Sequence, residues 1–289
     1  MKFDVESSQV DDVFSNLGKI NNLSYLSLKY LLWNQDTIQS FSKALLKNKE
    51  LNTLVISING SYFNQNPQIS SDQLSVFGIN LANCFKLTDI NISFGFNWDG
   101  CEMTLVNFAS HLSNSNISSL TFSLGLSNFP QINQILLPGL GQNFAKCKNL
   151  KILKVDFGGP INENRENRID KNGAYLFFSS IANSKSLTTL KIDLSHNFIG
   201  CNSTDAYDFI QSLSQSNIKN LDLNLQHNRL NSINQLPKSI NKLKKLQVLK
   251  LVIGEYYQHY IDDDEVGRCY TNFYKTNKLV YFSFKSTCY

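Results

Sequence analysis

Apolar residues recur along this chain in a fixed frame. Counted from its first member, the frame is apolar at positions 1, 4, 6 and 8, as in Leu187, Leu190, Ile192 and Leu194. It starts at Leu23, Leu51, Leu87, Ile117, Leu150, Leu187, Ile218, Leu246 and Leu279, each start 28 to 37 residues after the last. Ser286, at position 8 of the final copy, is the one departure. Apolar types make up 42% of the sequence, so an arbitrary window would fill all four positions only about 3% of the time. Nine near-regular copies are therefore a repeat.

Positions 4, 6 and 8 alternate with polar ones, the period of a strand with one buried face. Upstream of every frame lies a second signal, two apolar residues four apart. These pairs run from Val13/Leu17 through Phe41/Leu45, Phe77/Leu81 and Phe177/Ile181 to Cys269/Phe273. Residues four apart share a helix face. Each unit is predicted to be a helix, a short turn and a strand, and a helix in every crossover makes the strands parallel. One unit cannot close a core, whereas a stack of nine can.

The two clearest copies are LTTLKIDLSHNFIG, from Leu187, and IKNLDLNLQHNRL, from Ile218. They resemble the leucine-rich repeat family, in its ribonuclease-inhibitor-like class, with strands lengthened by about two residues. The family's turn asparagine has counterparts at Asn97, Asn197 and Asn228. The resemblance implies an α/β fold: a right-handed solenoid (horseshoe) of about nine repeats, with parallel strands on the concave face and helices on the convex face. It also implies that the asparagine bonds backbone groups in the turn after the strand. On this reading residues 1–22 form an N-terminal cap, with Phe3 and Val5 as a partial strand, and residues 23–289 form the solenoid.

In such a solenoid, frame positions 3, 5 and 7 face outward. Position 5 reads Lys154, Lys191, Asp222 and Lys250 in the later copies, and position 7 reads Asp156 and Asp193. The earlier copies are small, neutral and rich in hydroxyls. Two readings stand for the charged half: opposite charges that neutralise each other on a soluble sheet, or a docking patch for a protein partner. Tyr62, Phe63, Phe96 and Trp98, in the turns after the second and third strands, either plug gaps between turns or anchor an interface. The polar segment 161–170 either protrudes toward a partner or is a solvated loop.

Composition excludes more than it assigns. Charged residues are 17% and net charge is only +4, without the concentrated basic face of a nucleic-acid binder. The N-terminus lacks a signal-peptide core, and no apolar run approaches a membrane span. An intracellular location follows as an expectation, cytoplasmic or within a cytoskeletal or other assembly.

Six dispersed cysteines fall into repeat register. Cys84 and Cys147 each stand three residues before a strand frame, while Cys101 and Cys201 each follow a glycine. That regularity reads as packing of reduced thiols rather than as a metal site. The run Asp262 to Glu265 leads into a predicted helix and reads as capping and dipole compensation. Asp193, Ser195 and His196 look like a hydrolytic cluster, but the next copy substitutes Gln226 for Ser195, so the position is interchangeable.

No catalytic, cofactor-binding or metal-binding residue is expected. The expected function is a non-enzymatic protein-binding scaffold or a subunit of a larger assembly. The alternative is a regulator, an enzyme inhibitor or small-GTPase regulator, gripping its target on the concave face. The C-terminal edge lacks a visible cap and is expected to be covered by a partner or by further chain.

Overall fold

The repeat frame is the sheet register. In the computed structural model, frame position 4 pairs with frame position 4 in neighbouring strands: Leu54 with Ile90, Ile90 with Leu120, Leu120 with Leu153, and on through Leu190, Leu221 and Leu249. The structure describes residues 2–3, 14, 16–20, 22–28, 33, 35–58, 70–95, 100–124, 131–158, 168–200, 207–228, 230, 232–254, 263–274 and 281–287.

The ten described strands are β1 Lys2–Phe3, β2 Tyr25–Leu28, β3 Thr53–Ile58, β4 Asp89–Phe94, β5 Ser119–Leu124, β6 Ile152–Asp156, β7 Thr189–Asp193, β8 Asn220–Asn224, β9 Val248–Gly254 and β10 Tyr281–Thr287. They form one parallel sheet in strict chain order. The described helices are α1 Gln35–Lys47, α2 Ser71–Asn83, α3 Glu102–Leu112, α4 Leu137–Lys146, α5 Lys171–Ile181, α6 Asp208–Gln211, α7 Leu236–Asn241 and α8 Asp263–Tyr274. A π-helical segment, Ile132–Leu136, leads into α4, and a 3-10 turn, Ser212–Gln215, continues α6. Strand, helix, strand repeats throughout, so the fold is an α/β solenoid of the leucine-rich-repeat type.

Backbone bonds extend the ladder ahead of each strand. The carbonyl at frame position 2 accepts the N–H groups of positions 2 and 3 of the next repeat. Ser24 does so for Asn52 and Thr53, and the pattern continues through Asn52, Thr88, Ser118, Lys151 and Thr188 to Lys219. Peptide groups leading into each strand are thereby paired with the neighbouring repeat.

The core lies between sheet and helices. Strand positions 4, 6 and 8 point inward, and so do the helix pairs. Phe41, Leu45, Phe77, Leu81, Phe108, Leu112, Leu140 and Phe144 are all fully buried. Phenylalanines meet edge or face across repeats, with ring centroids 5.1 to 5.9 Å apart from Phe14 and Phe41 through Phe77, Phe108, Phe94 and Phe122 to Phe144. Each such pair adds about 0.5–1.5 kcal/mol beyond its buried area. Trp33, 1% exposed, closes this spine at its first turn. Its ring contacts Phe14 and Phe41, and its Nε1–H donates to the Ser57 carbonyl at 2.7 Å.

Helices pack closely where a glycine permits it. A Cβ on Gly141 would stand 3.0 Å from the Phe177 carbonyl of α5, so α4 and α5 approach with backbone against backbone. Sequence-legible caps set helix starts: Ser70 and Gln73 form a capping box on α2, and Asp170 accepts the Gly173 N–H at the start of α5.

In the acidic start of α8, Glu265 makes a contact outside its own helix, while Asp262 lies outside the described residues. Glu265 is 7% exposed, and its Oε1 reaches back a repeat to accept from Ser232 Oγ and from the N–H groups of Ile233 at 2.6 Å and Asn234 at 2.9 Å. It fastens the loop that enters α7 rather than capping its own helix. Glu102 makes the matching contact forward, accepting the Gln131 N–H at 2.8 Å.

Cys84 and Cys147 occupy one structural position. Cys84 Sγ lies 3.3 Å from the Asn80 carbonyl and 3.8 Å from the Leu45 carbonyl of the previous repeat. Cys147 Sγ lies 3.5 Å from Asn143 O and 3.6 Å from Leu112 O. Asn48 fills the same place in an earlier repeat, donating to Ala44 and Leu17 carbonyls. Burial pushes the Cys84 thiol up to about 11 and the Cys147 thiol up to about 12. Together with Cys101 and Cys269 these are free cysteines.

Candidate functional site

The outward sheet face brings like charges together. Parallel strands in identical register set Lys154 beside Lys191 and Asp156 beside Asp193 on β6 and β7. Next along, Lys191 faces Asp222 of β8, and Asp222 faces Lys250 of β9. Adjacent strands are about 4.8 Å apart, so these are immediate neighbours. Lys154, Asp156, Lys191 and Lys250 are exposed, while Asp193 and Asp222 are half-buried.

The sequence reading has the lysines balanced by Asp156 and Asp193. Geometry gives those aspartates another task. Asp156 Oδ1 accepts the Gly158 N–H at 3.1 Å, Asp193 Oδ1 accepts the Ser195 N–H at 2.8 Å, and Asn224 Oδ1 accepts the Gln226 N–H at 3.1 Å. All three close the same side-chain turn two residues on. Their remaining atoms bond sideways: Ser123 Oγ donates to Asp156 Oδ2 at 3.1 Å, and Asn224 Nδ2 donates to Asp193 Oδ2 at 2.9 Å. An ion pair on this face joins Lys191 to Asp222 at 3.7 Å. Among the described residues Lys154 has no ion-pair or hydrogen-bond partner.

Beyond the ends of β7 and β8 the chain makes two superimposable turns. His196 and His227 hold left-handed backbone, with φ of 57° and 55°. Their rings stack at 4.3 Å between centroids and 22° between planes. The turn asparagines are buried beneath them. Asn197 Nδ2 donates to the carbonyls of Phe157, Leu194 and Ser195, and its Oδ1 accepts the Ile169 N–H. Asn228 Nδ2 donates to Leu194 and Leu225, and its Oδ1 accepts the Ile199 N–H. This is the role the family resemblance implies for both residues.

The Asp193, Ser195, His196 group is therefore turn architecture. Ser195 offers its backbone N–H to Asp193, and the His196 ring lies against His227. Burial, then the charges of His227 and Arg168, hold the His196 imidazole below its usual value, with Asp193 opposing. Arg168 is 4% exposed, and its guanidinium lies 4.8 Å from the centre of the Phe198 ring.

Tyr62, Phe63, Phe96 and Trp98 lie outside the described residues, as do Asn97 and most of the polar segment 161–170. The end of that segment turns inward: Arg168 and Ile169 are buried, and the Asp170 N–H donates to Asn133 Oδ1 at 3.1 Å. Periodicity gave no sign of Arg168, Asn133, Trp33 or Glu265 as structural keys. Among the described residues no group of three or more His, Cys, Asp or Glu is placed to hold a metal ion. Nor, among them, is any helix long and apolar enough to cross a membrane.

No family model matches the chain, and no curated protein matches it. Among solved structures it is similar to the tropomodulin C-terminal domain of Caenorhabditis elegans, at 14% identity and a TM-score of 0.38, over 62% of this chain and 92% of that one. It is also similar to a chain of the yeast Rad7 and Elc1 complex, at 11% identity and a TM-score of 0.25, over 96% and 88%. A mutant O-GlcNAc hydrolase of Thermobaculum terrenum aligns at 12% identity and a TM-score of 0.23, over 92% and 54%. These superpositions are loose. The solenoid assignment rests on strand order, register and the repeat frame.

Proposed function

We propose that this chain is a non-enzymatic, intracellular protein-binding solenoid of the ribonuclease-inhibitor-like class. It serves as a scaffold or as a subunit of a larger assembly, and its partner docks on the outward strand face around Lys154, Lys191, Asp222 and Lys250. The observation that carries this reading is the pairing of like with like on that face. Like charges directly opposite each other on neighbouring strands destabilise a sheet, and an exposed ion pair such as Lys191–Asp222 contributes at most about 1 kcal/mol. The aspartates are accounted for by the turns they close, but fold stability alone does not account for the adjacent lysines. A partner of complementary charge does. Use of Asp193, Ser195 and His196 in turn geometry supports the non-enzymatic part of the proposal.

The test is affinity capture from extracts of the native source with the wild-type chain and with Lys154→Glu/Lys191→Glu, quantified by mass spectrometry. The double variant is expected to fold with unchanged circular dichroism and to lose the stoichiometric partner. Retention of that partner overturns the assignment of the face. A nuclease or a small GTPase as sole partner would mark the chain as a regulator rather than a scaffold.

A further inference from the structure

The two stacked histidines stand at equivalent places in successive repeats, both in left-handed backbone. What the turn requires is a residue that tolerates positive φ, and asparagine or glycine does so at least as well. The rings nevertheless lie 4.3 Å apart, almost parallel, over the asparagines that lock both turns. Backbone bonds run from these residues across the repeat boundaries: His196 N–H to the Gln226 carbonyl at 2.9 Å, and His227 N–H to the Gly254 carbonyl at 3.2 Å. We propose that His196 and His227 form a proton-operated joint between repeats, stacked while neutral and driven apart when both are charged.

The charges around the pair set the sign. The loop entering α5 contributes Arg168, a buried cation that opposes a second positive charge on His196. Strand β7 contributes Asp193, which favours protonation, but both of its oxygens already accept hydrogen bonds. Strand β6 contributes Asp156 at its end, whose Oδ1 is held by the Gly158 N–H. Strand β8 offers the uncharged Asn224 at the matching place. Burial and the neighbouring cations together keep His196 below its ordinary value of 6.5. A folded value lowered in this way means that the folded chain binds protons less readily than the unfolded one. The stacking contribution is then complete above the ordinary histidine range and is lost as pH falls through the lowered value.

Separation of the rings would act on the strand face as well as on the turns. Ser195, which precedes His196, holds Asp193 Oδ1, and Asp193 stands beside Asp156 in the register of β6 and β7. The joint is a property of the solenoid itself and does not depend on the docking proposal.

Hydrogen exchange at about pH 7.5 and about pH 5, either side of the histidine range and corrected for intrinsic rates, tests the joint. Two unit charges 4.3 Å apart in a water-like dielectric correspond to a roughly fivefold change in an equilibrium. Amides of Ser195–Ile199 and Gln226–Asn228 should lose protection by about that factor at the lower pH, ahead of β3 and β4. In His196→Asn/His227→Asn, which keeps residues suited to the left-handed turn, this selective loss should vanish. The proposal fails if the double variant keeps the effect, or if protection falls evenly along the chain. If the variant does not fold, an NMR titration of the wild-type imidazoles decides. Coupled titration, with His196 below its ordinary value, supports the joint, and two independent ordinary titrations overturn it.

Discussion

Substitution of the turn asparagines offers a quantitative test of the solenoid's locking scheme. Asn197→Ala removes four bonds at a site 2% exposed. Two buried groups are orphaned: the Ile169 N–H and the Phe157 carbonyl, in residues that are 0% and 4% exposed; the Ser195 carbonyl also loses this donor, but in a half-buried residue open to water. The Leu194 carbonyl is not orphaned, because Asn228 Nδ2 also donates to it at 2.8 Å. Each orphaned buried group costs about 1–3 kcal/mol, so the single variant should lose about 2–6 kcal/mol. Asn228→Ala orphans the Ile199 N–H and the Leu225 carbonyl and should cost about the same. The double variant also strips Leu194 of both side-chain donors. Its loss should exceed the sum of the singles by about 1 kcal/mol or more, beyond the roughly 0.3–0.5 kcal/mol scatter of additive pairs. Urea denaturation followed by far-UV circular dichroism measures the totals. Hydrogen exchange over residues 168–200 measures the local term, which matters because solenoids lose two-state behaviour readily. Strict additivity, or single losses below about 0.5 kcal/mol, would refute the shared-acceptor scheme.

Two further predictions follow from buried groups. Glu265→Ala leaves the buried Ile233 N–H without its acceptor and should cost about 2–3 kcal/mol in urea denaturation; Glu265→Gln keeps an oxygen there and should cost less than half as much. Because the thiolate is the reactive form of cysteine, Cys84 and Cys147, pushed up to about 11 and about 12 by burial, should resist alkylation in the native chain at about pH 8 and label rapidly once it is unfolded in urea. Rapid native labelling at either position would contradict its burial.

Periodic features of this fold are legible in the sequence because a solenoid turns period into neighbourhood. Apolar positions 4, 6 and 8 and the helix pairs identify the core, and the same frame gives the register, since equivalent positions in consecutive repeats become cross-strand partners. What periodicity cannot express is a contact made once. Trp33 bonds Ser57 from 24 positions away, and Glu265 bonds Ile233 from 32 away; each depends on a particular loop path rather than on the repeat frame. The charged face shows the same division. Outward placement of Lys154, Lys191, Asp156 and Asp193 follows from alternation alone, and so does the adjacency of like with like, because register joins position 5 to position 5 and position 7 to position 7. Pairing lysine with aspartate along one strand ignores that rule. It also ignores the turn that begins one residue beyond position 7, whose N–H groups at Gly158 and Ser195 capture the carboxylates. The aspartates thus serve the turns, which leaves the lysine row, with Asp222 set within it, as the part of this face whose charge the fold itself does not explain.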